Sequence, residues 1–372
     1  ILKECVSFYR ELYTSKNPDL ENITSYIENT DIPRQLTVDE KELCEGHIQE
    51  AECEYTVKCL KKNSSPGIDG LPGEFYQKFW YLFGKFLTDV FNDCFISGEL
   101  TNSQKTAVIS LIHKKNERSD IKNYRPITLS TVDYKILAFI LASRMQKVIS
   151  SVISTDQTAF IRKRFIGHNI RIVEDIIEYC EKLKARGVLV FLDFEKAFDS
   201  IEKEFIIQAL KAFGFGEQFI TWFKVLYKDS TSMIKNNGWI SEHFPVERGI
   251  KQGCPISALL FILSVEILAL SIKQNRNIKG IDISSGQTST QLKIKQFADD
   301  AILFLKNCGF IAESFKEINK FSKVSGLKLN LPKTVGLKLG IENQFPYINT
   351  FGIQWPNHPI RCLGIYVGND KI

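Results

Sequence analysis

The sequence predicts an α+β fold whose second half carries a βαββαβ sheet with helices on one face. Three observations predict it. From Val188 onward the order reads strand, helices, hairpin, helix, acidic hairpin, helix, strands. Two short apolar runs, 292–297 and 301–305, flank the tetrapeptide Phe297-Ala298-Asp299-Asp300, which puts two adjacent carboxylates at a hairpin tip. The strand-like run from Val188 stays apolar until it ends on Asp193. A doubly wound sheet would show regular strand–helix alternation, and this chain does not.

The remaining elements follow in order. Residues 1–36 are mixed, with Pro18 and Pro33 as breakers. Thr37 and Glu40 fit a capping box that opens a polar helix running to about residue 62. Residues 63–73 are dense in Pro, Gly, Ser and Asp and form a loop. The segment 75–96 carries aromatics at helical spacing, which suits a core helix. A strand over 108–113 and an extended piece over 123–128 come next, because Pro126 restrains Arg125. Helices are expected at 131–153, 167–185, 202–213 and 217–228. A hairpin over 233–245 turns at Asn236-Asn237-Gly238. The loop 248–255 feeds an apolar helix over 257–276, broken by Glu266 and read as a core helix, so no membrane association is expected. A helix over 310–325 stops at Gly326, and strands follow near 333–339 and 361–367.

Composition narrows the class of function. The chain has 372 residues, 44% hydrophobic and 24% charged, as in an ordinary globular protein. Net charge is only +5, but the basic residues are clustered. Six Lys/Arg face two acids over 105–125, and six face one acid over 144–171. Such stretches beside an acidic centre suit a phosphate-rich ligand. Nine cysteines without a Cys-x-x-Cys pair fit a reducing intracellular compartment, nucleus or cytoplasm. The Cys44, His47, Cys53, Cys59 spacing is poor for zinc.

Paired acids emerging from apolar strands repel one another, and an uncompensated charge there costs several kcal/mol. A hard divalent cation is the usual partner of such oxygens. If Asp193 lies beside Asp299 and Asp300, the three could hold two metals for in-line phosphoryl transfer. Asp199 is read instead as the cap of the following helix. The Gly-rich loop from Arg248 to Ser257 opens a helix and can present backbone amides to a nucleotide.

The phrases FLDFEKAFD (191–199), RGIKQGCPIS (248–257) and FADDAILF (297–304) resemble the palm motifs of reverse transcriptases. NYRPITL (123–129), DQTAFIRKRFIGHNI (156–170), SGLKLNLPKT (325–334) and CLGIYV (362–367) match in order and spacing. The set is most similar to non-LTR, LINE-type enzymes. SSPGIDGLPGEFY (64–76) resembles the extra N-terminal motif that this branch shares with group II intron enzymes.

The resemblance implies a right-hand polymerase with fingers and a ferredoxin-like palm, the thumb largely absent. It divides the chain into an N-terminal helical extension (1–62), fingers (63–187) and palm (188–372), with the reverse transcriptase domain as a whole over about 105–370. It implies RNA-directed DNA synthesis from template RNA, a DNA primer and dNTPs. Asp193, Asp299 and Asp300 would be catalytic, holding two Mg²⁺, or Mn²⁺ in their stead, with the Phe194 carbonyl beside them. Lys114, or Lys115 in its place, and Arg125 would grip the triphosphate. Phe198 would collide with a ribose 2′-OH. Gln252 and Gly253 would pack against nucleotide and template base. Lys333 would protonate pyrophosphate, and Leu363-Gly364 would form the primer-gripping turn.

Nothing resembling an endonuclease precedes residue 64, and the chain stops just after the primer-grip block. The sequence is therefore expected to be the fingers and palm of a larger protein. Three other readings compete: a group II intron-like maturase, a non-catalytic RNA-binding scaffold derived from such a polymerase, and an RNA-directed RNA polymerase, against which Phe198 argues. The intact acids argue against the scaffold.

Overall fold

The computed structural model describes residues 1–114, 116–285, 288–346, 349 and 351–368, so Lys115 lies outside the described residues. The chain divides into two compact units, each assembled from separate stretches. The first comprises Ile1–Asn17, Arg34–Val152 and Phe198–Phe261, and the second Pro18–Pro33, Ile153–Ala197 and Ile262–Ile372. In chain order the strands are β1 (Thr106–His113), β2 (Tyr124–Leu129), β3 (Arg186–Leu192), β4 (Thr231–Asn236), β5 (Trp239–Ile240), β6 (Phe244–Pro245), β7 (Ile281–Ser285), β8 (Thr288–Leu292), β9 (Ile294–Phe297), β10 (Asp300–Leu305), β11 (Val335–Gly340), β12 (Ile360–Cys362) and β13 (Ile365–Val367).

The first unit is built on a sheet ordered β2-β1-β4-β5, with β6 beside β4. β1 runs antiparallel to β2 and parallel to β4. The helix Leu2–Tyr13 buries Cys5, Val6, Tyr9 and Tyr13 against Ile109, Ile234, Phe244 and Val246. That spacing keeps the four on one helical face. Each fully buried side chain of this size contributes about 1.5–3 kcal/mol. The β4–β5 turn takes Asn237 and Gly238 at positive φ, as a two-residue hairpin with these residues requires.

The single helix expected from Thr37 to about residue 62 is two helices, Val38–Glu42 and Glu50–Cys59. The capping box at Thr37 and Glu40 forms as expected. The break has a tertiary cause. Gly46 takes φ +93°, and the guanidinium of Arg144 gathers the carbonyls of Cys44, Glu45, Gly46 and His47 at 2.9–3.3 Å. A continuous helix would need those carbonyls for itself. Arg144 also pairs with Glu52 at 2.6 Å and is only 4% exposed. It is therefore a structural cation, although the sequence counts it in a basic stretch. The helix Gly73–Ser97 is partly core: Phe75, Tyr76, Phe79, Trp80 and Phe83 pack as rings, while Tyr81 and Phe86 are exposed.

The second unit holds an antiparallel sheet ordered β11-β3-β10-β9. Numbered by sequence, these four strands stand in the order 4-1-3-2. β3 is apolar after Arg186, and four successive residues, Gly187 to Val190, are buried. The helix Ile166–Lys182 sets Val173, Ile176 and Cys180 against Leu189, Ile302, Phe304, Leu337 and Leu339. The helix Ile311–Ser325 ends at Gly326, φ +78°. The strand expected over 361–367 is a tight hairpin, β12–β13, turning at Leu363 and Gly364, both at positive φ. The β7–β8 hairpin was not legible in the sequence. The apolar helix Ser257–Gln274 is long and apolar enough to cross a membrane, yet 83% of it is buried inside the protein.

Candidate active site

Asp193 directly follows β3 and Asp300 opens β10, one residue beyond the antiparallel pair Leu192–Ala301. The register therefore brings these two acids to the same end of adjacent hydrogen-bonded strands. Asp299 sits with Ala298 in the turn between β9 and β10, where Phe297 pairs with Asp300. Asp193 is half-buried, and Asp299 and Asp300 are exposed. Among the described residues, no group of three or more acid, His or Cys side chains is drawn together closely enough to hold an ion. The register places like charges at neighbouring strand ends, where they oppose one another.

The turn is held from beneath by residues that sequence reasoning did not single out. Gln157 is fully buried, and its Oε1 accepts the amides of Ala298 and Ala159, each at 3.0 Å. Ala298 takes φ +56°, a region costly for a residue with a Cβ. Gln296 is clamped on both backbone groups: its carbonyl accepts Thr158 N and Asn169 Nδ2, and its amide donates to the Asp156 carbonyl. The Asp156 carboxylate pairs with Lys295 at 2.7 Å and Lys273 at 2.8 Å, which holds its pKa below the usual range against the cost of burial. Arg164 donates to the carbonyls of Ile153, Ser154 and Gln157. It too is structural, so the basic stretch over 144–171 is not a continuous solvated face. Gln157 and Asn169 lie within the motif DQTAFIRKRFIGHNI, but among its many polar residues nothing local marks these two as buried.

On the other flank, the Asp193 carbonyl accepts Asn330 N at 2.7 Å, and Phe194, 8% exposed, bridges Leu329. Lys333 closes the short turn Leu331–Lys333 that follows and is exposed. Burial, reinforced by the nearby Asp300 carboxylate, pushes the Cys362 thiol up to about 12. Leu363 and Gly364 form the turn of the β12–β13 hairpin that follows Cys362.

The remaining residues read from the sequence lie in the first unit. Lys114 and Arg125 are exposed near the end of the β1–β2 ladder, where Ile112 pairs with Arg125 and His113 with Tyr124. Phe198 is half-buried and stacks on Phe261, ring centroids 4.5 Å apart. Its carbonyl accepts Ile250 N at 2.8 Å, tying it to the Gly-rich loop. Gln252 docks on β2 by accepting Thr128 N at 2.9 Å, and Gly253 takes φ +102°. Asp199 does not cap the following helix. The helix Lys203–Ala212 has Glu202 at its cap position, and Asp199 is fully buried within the short helix Ala197–Ser200. Its carboxylate accepts Tyr13 OH at 2.9 Å and Gln252 Nε2 at 2.8 Å. Lys251, also missed, is 5% exposed, and its Nζ lies 3.9 Å from the Tyr134 ring centroid. That Nζ has no hydrogen-bond partner among the described residues. Burial pushes its pKa down to about 7, with Cys254 opposing and Lys203 adding to the fall.

A family profile described as reverse transcriptase (RNA-dependent DNA polymerase) matches residues 112–367. The chain belongs to the reverse transcriptase family. Among the relatives of this reverse transcriptase is the uncharacterized 149 kDa protein of transposon TX1 from Xenopus laevis. It is 29% identical, over 98% of this chain and 27% of that protein. The Pol polyprotein of the type-2 retrotransposable element R2DM from Drosophila melanogaster is 29% identical over 74% of this chain and 25% of its own length. That of the type-1 element R2 from Popillia japonica is 26% identical over 62% and 32%. All three relatives are proteins of transposable or retrotransposable elements. The chain spans about a quarter to a third of the length of the curated relatives it matches.

Proposed function

We propose that this chain is the fingers and palm of an RNA-directed DNA polymerase encoded by a LINE-type element. In this reading it extends a DNA 3′-OH with dNTPs on an RNA template. The observation that carries the proposal is the β3–β10 register, which sets Asp193 and Asp300 at one strand end with Asp299 in the adjoining turn. The 4-1-3-2 order of the second unit's sheet supports reading it as a ferredoxin-like palm. We assign residues 1–62 to a helical extension, 63–187 to fingers and 188–372 to palm, within a longer protein that also carries endonuclease and thumb regions. Nine free thiols support a reducing compartment, nucleus or cytoplasm.

The donor set fits a hard divalent cation. Asp193, Asp299, Asp300 and the Phe194 carbonyl would hold Mg²⁺, with Mn²⁺ as its substitute. Two such ions, when bound, lower the pKa of the attacking hydroxyl and offset charge on the phosphates. The chain's own residues do the rest. Arg125 offers a planar fork to the triphosphate and Lys114 a point charge. The Phe198 ring, fixed against Phe261, excludes a 2′-OH. Gln252 and Gly253 back the nucleotide, Lys333 delivers a proton to pyrophosphate, and the Leu363–Gly364 turn supports the primer.

Primer extension on an RNA template by the full-length protein tests this. Extension is expected with wild type, and a loss of about a thousandfold or more with Asp299→Ala. Undiminished extension by Asp299→Ala would refute the site.

A further inference from the structure

We infer that Tyr13 is a positioning residue for the nucleotide-facing loop, acting through Asp199 on Gln252. The inference rests on the polymerase reading above and adds a residue from the N-terminal helix, upstream of the region that matches the family.

The geometry is a relay. Tyr13 OH donates to Asp199 Oδ1 at 2.9 Å, and Gln252 Nε2 donates to Asp199 Oδ2 at 2.8 Å. Tyr13 is 4% exposed and Asp199 fully buried. Burial and the Asp199 charge hold the phenol well above its ordinary pKa, so it remains a donor. An ionised carboxylate only accepts hydrogen bonds. The NH₂ end of the Gln252 amide must therefore face Asp199, which leaves Oε1 as the acceptor on its opposite side. The Gln252 backbone is fixed separately by Thr128 N at 2.9 Å. Backbone and amide orientation are thus set by different partners, Thr128 for the first and Asp199, which Tyr13 also bonds, for the second.

The same helix end anchors the loop's start. The Tyr13 carbonyl accepts Glu247 N at 3.0 Å and Arg248 N at 3.1 Å, and Arg248 Nε donates to the Leu12 carbonyl at 2.8 Å. Gly249 sits so close that a Cβ there would lie 2.6 Å from the Asp199 carbonyl oxygen. The loop is pressed onto Asp199, so a carboxylate that loses one donor and turns would take Gln252 with it.

Tyr13→Phe deletes one hydroxyl and keeps the ring that stacks on Tyr9 and Phe244. In the full-length protein we expect KM for dNTP to rise about tenfold, the size of one charge-assisted hydrogen bond, with kcat within about twofold. On a Gln252→Met background the same substitution should add less than about twofold, because the relay's end is already gone. An unchanged KM, an equal rise on both backgrounds, or a fall in kcat together with melting temperature would each overturn the inference. If the wild-type protein shows no extension, the polymerase reading fails, and the relay is judged by amide hydrogen exchange. Faster exchange at residues 250–253 in Tyr13→Phe supports the relay, and unchanged exchange overturns it.

Discussion

The side-chain oxygen of Gln157 accepts the backbone amide of Ala298 at 3.0 Å, so a buried glutamine sets the turn that carries Asp299. Ala298 has no conformational reason of its own to adopt φ +56°. The bond from a distant residue supplies that reason.

Gln157→Leu should therefore damage both fold and chemistry. It leaves the amides of Ala298 and Ala159 without their acceptor. Each buried unpaired amide costs about 1–3 kcal/mol. A lower melting temperature, faster amide exchange at residues 297–300 and a fall in kcat are expected together. A stable variant with a wild-type exchange pattern there would show that the turn holds itself.

Phe198→Ala tests the sugar gate. The ring is half-buried and fixed by its stack on Phe261. Removing it opens space for a 2′-OH and costs some packing stability. Discrimination between dNTP and rNTP, measured as the ratio of kcat/KM values, should fall by about tenfold or more. If the ratio holds, another residue reads the sugar.

Lys251 makes a pH prediction. Its folded pKa is pushed down to about 7, well below the ordinary lysine value of about 10.4. Between those values the unfolded chain holds the proton and the folded chain does not. Stability therefore rises with pH across that window, by about 1.4 kcal/mol per pH unit from this group. The penalty is complete below about pH 7. Tyr134, Tyr227, Cys254 and Lys203 surround the group electrostatically. Lys203, pushed down to about 8 by burial, adds slope of the same sign. Lys251→Met should be more stable than wild type at pH 7 and show a shallower rise toward pH 9. Denaturant titrations at both pH values decide it: parallel changes in the two proteins would mean that Lys251 is charged in the fold.

Local pattern carried much of this protein. The acidic hairpin was legible because two apolar runs bracket a short polar turn, and side-chain alternation fixes which residues lie at its tip. Gly326 marked a helix end because only its left-handed backbone closes that helix cheaply. The motif order placed the family before any contact was known. The residues 37–62 misled for a physical reason: their local signals favour one helix, and Arg144, far along the chain, claims the carbonyls that would have continued it.

By itself, then, the sequence determined the family, most of the order of elements and the acids at the strand ends, because those depend on periodicity and residue chemistry over short windows. Tertiary structure alone decided that Asp199 is a buried acceptor for Tyr13 and Gln252, that Arg144 and Arg164 are internal ties, and that Gln157 supports the Asp299 turn. Those roles belong to hydrogen-bond partners far apart in sequence. No local pattern specifies which buried donor meets which buried acceptor.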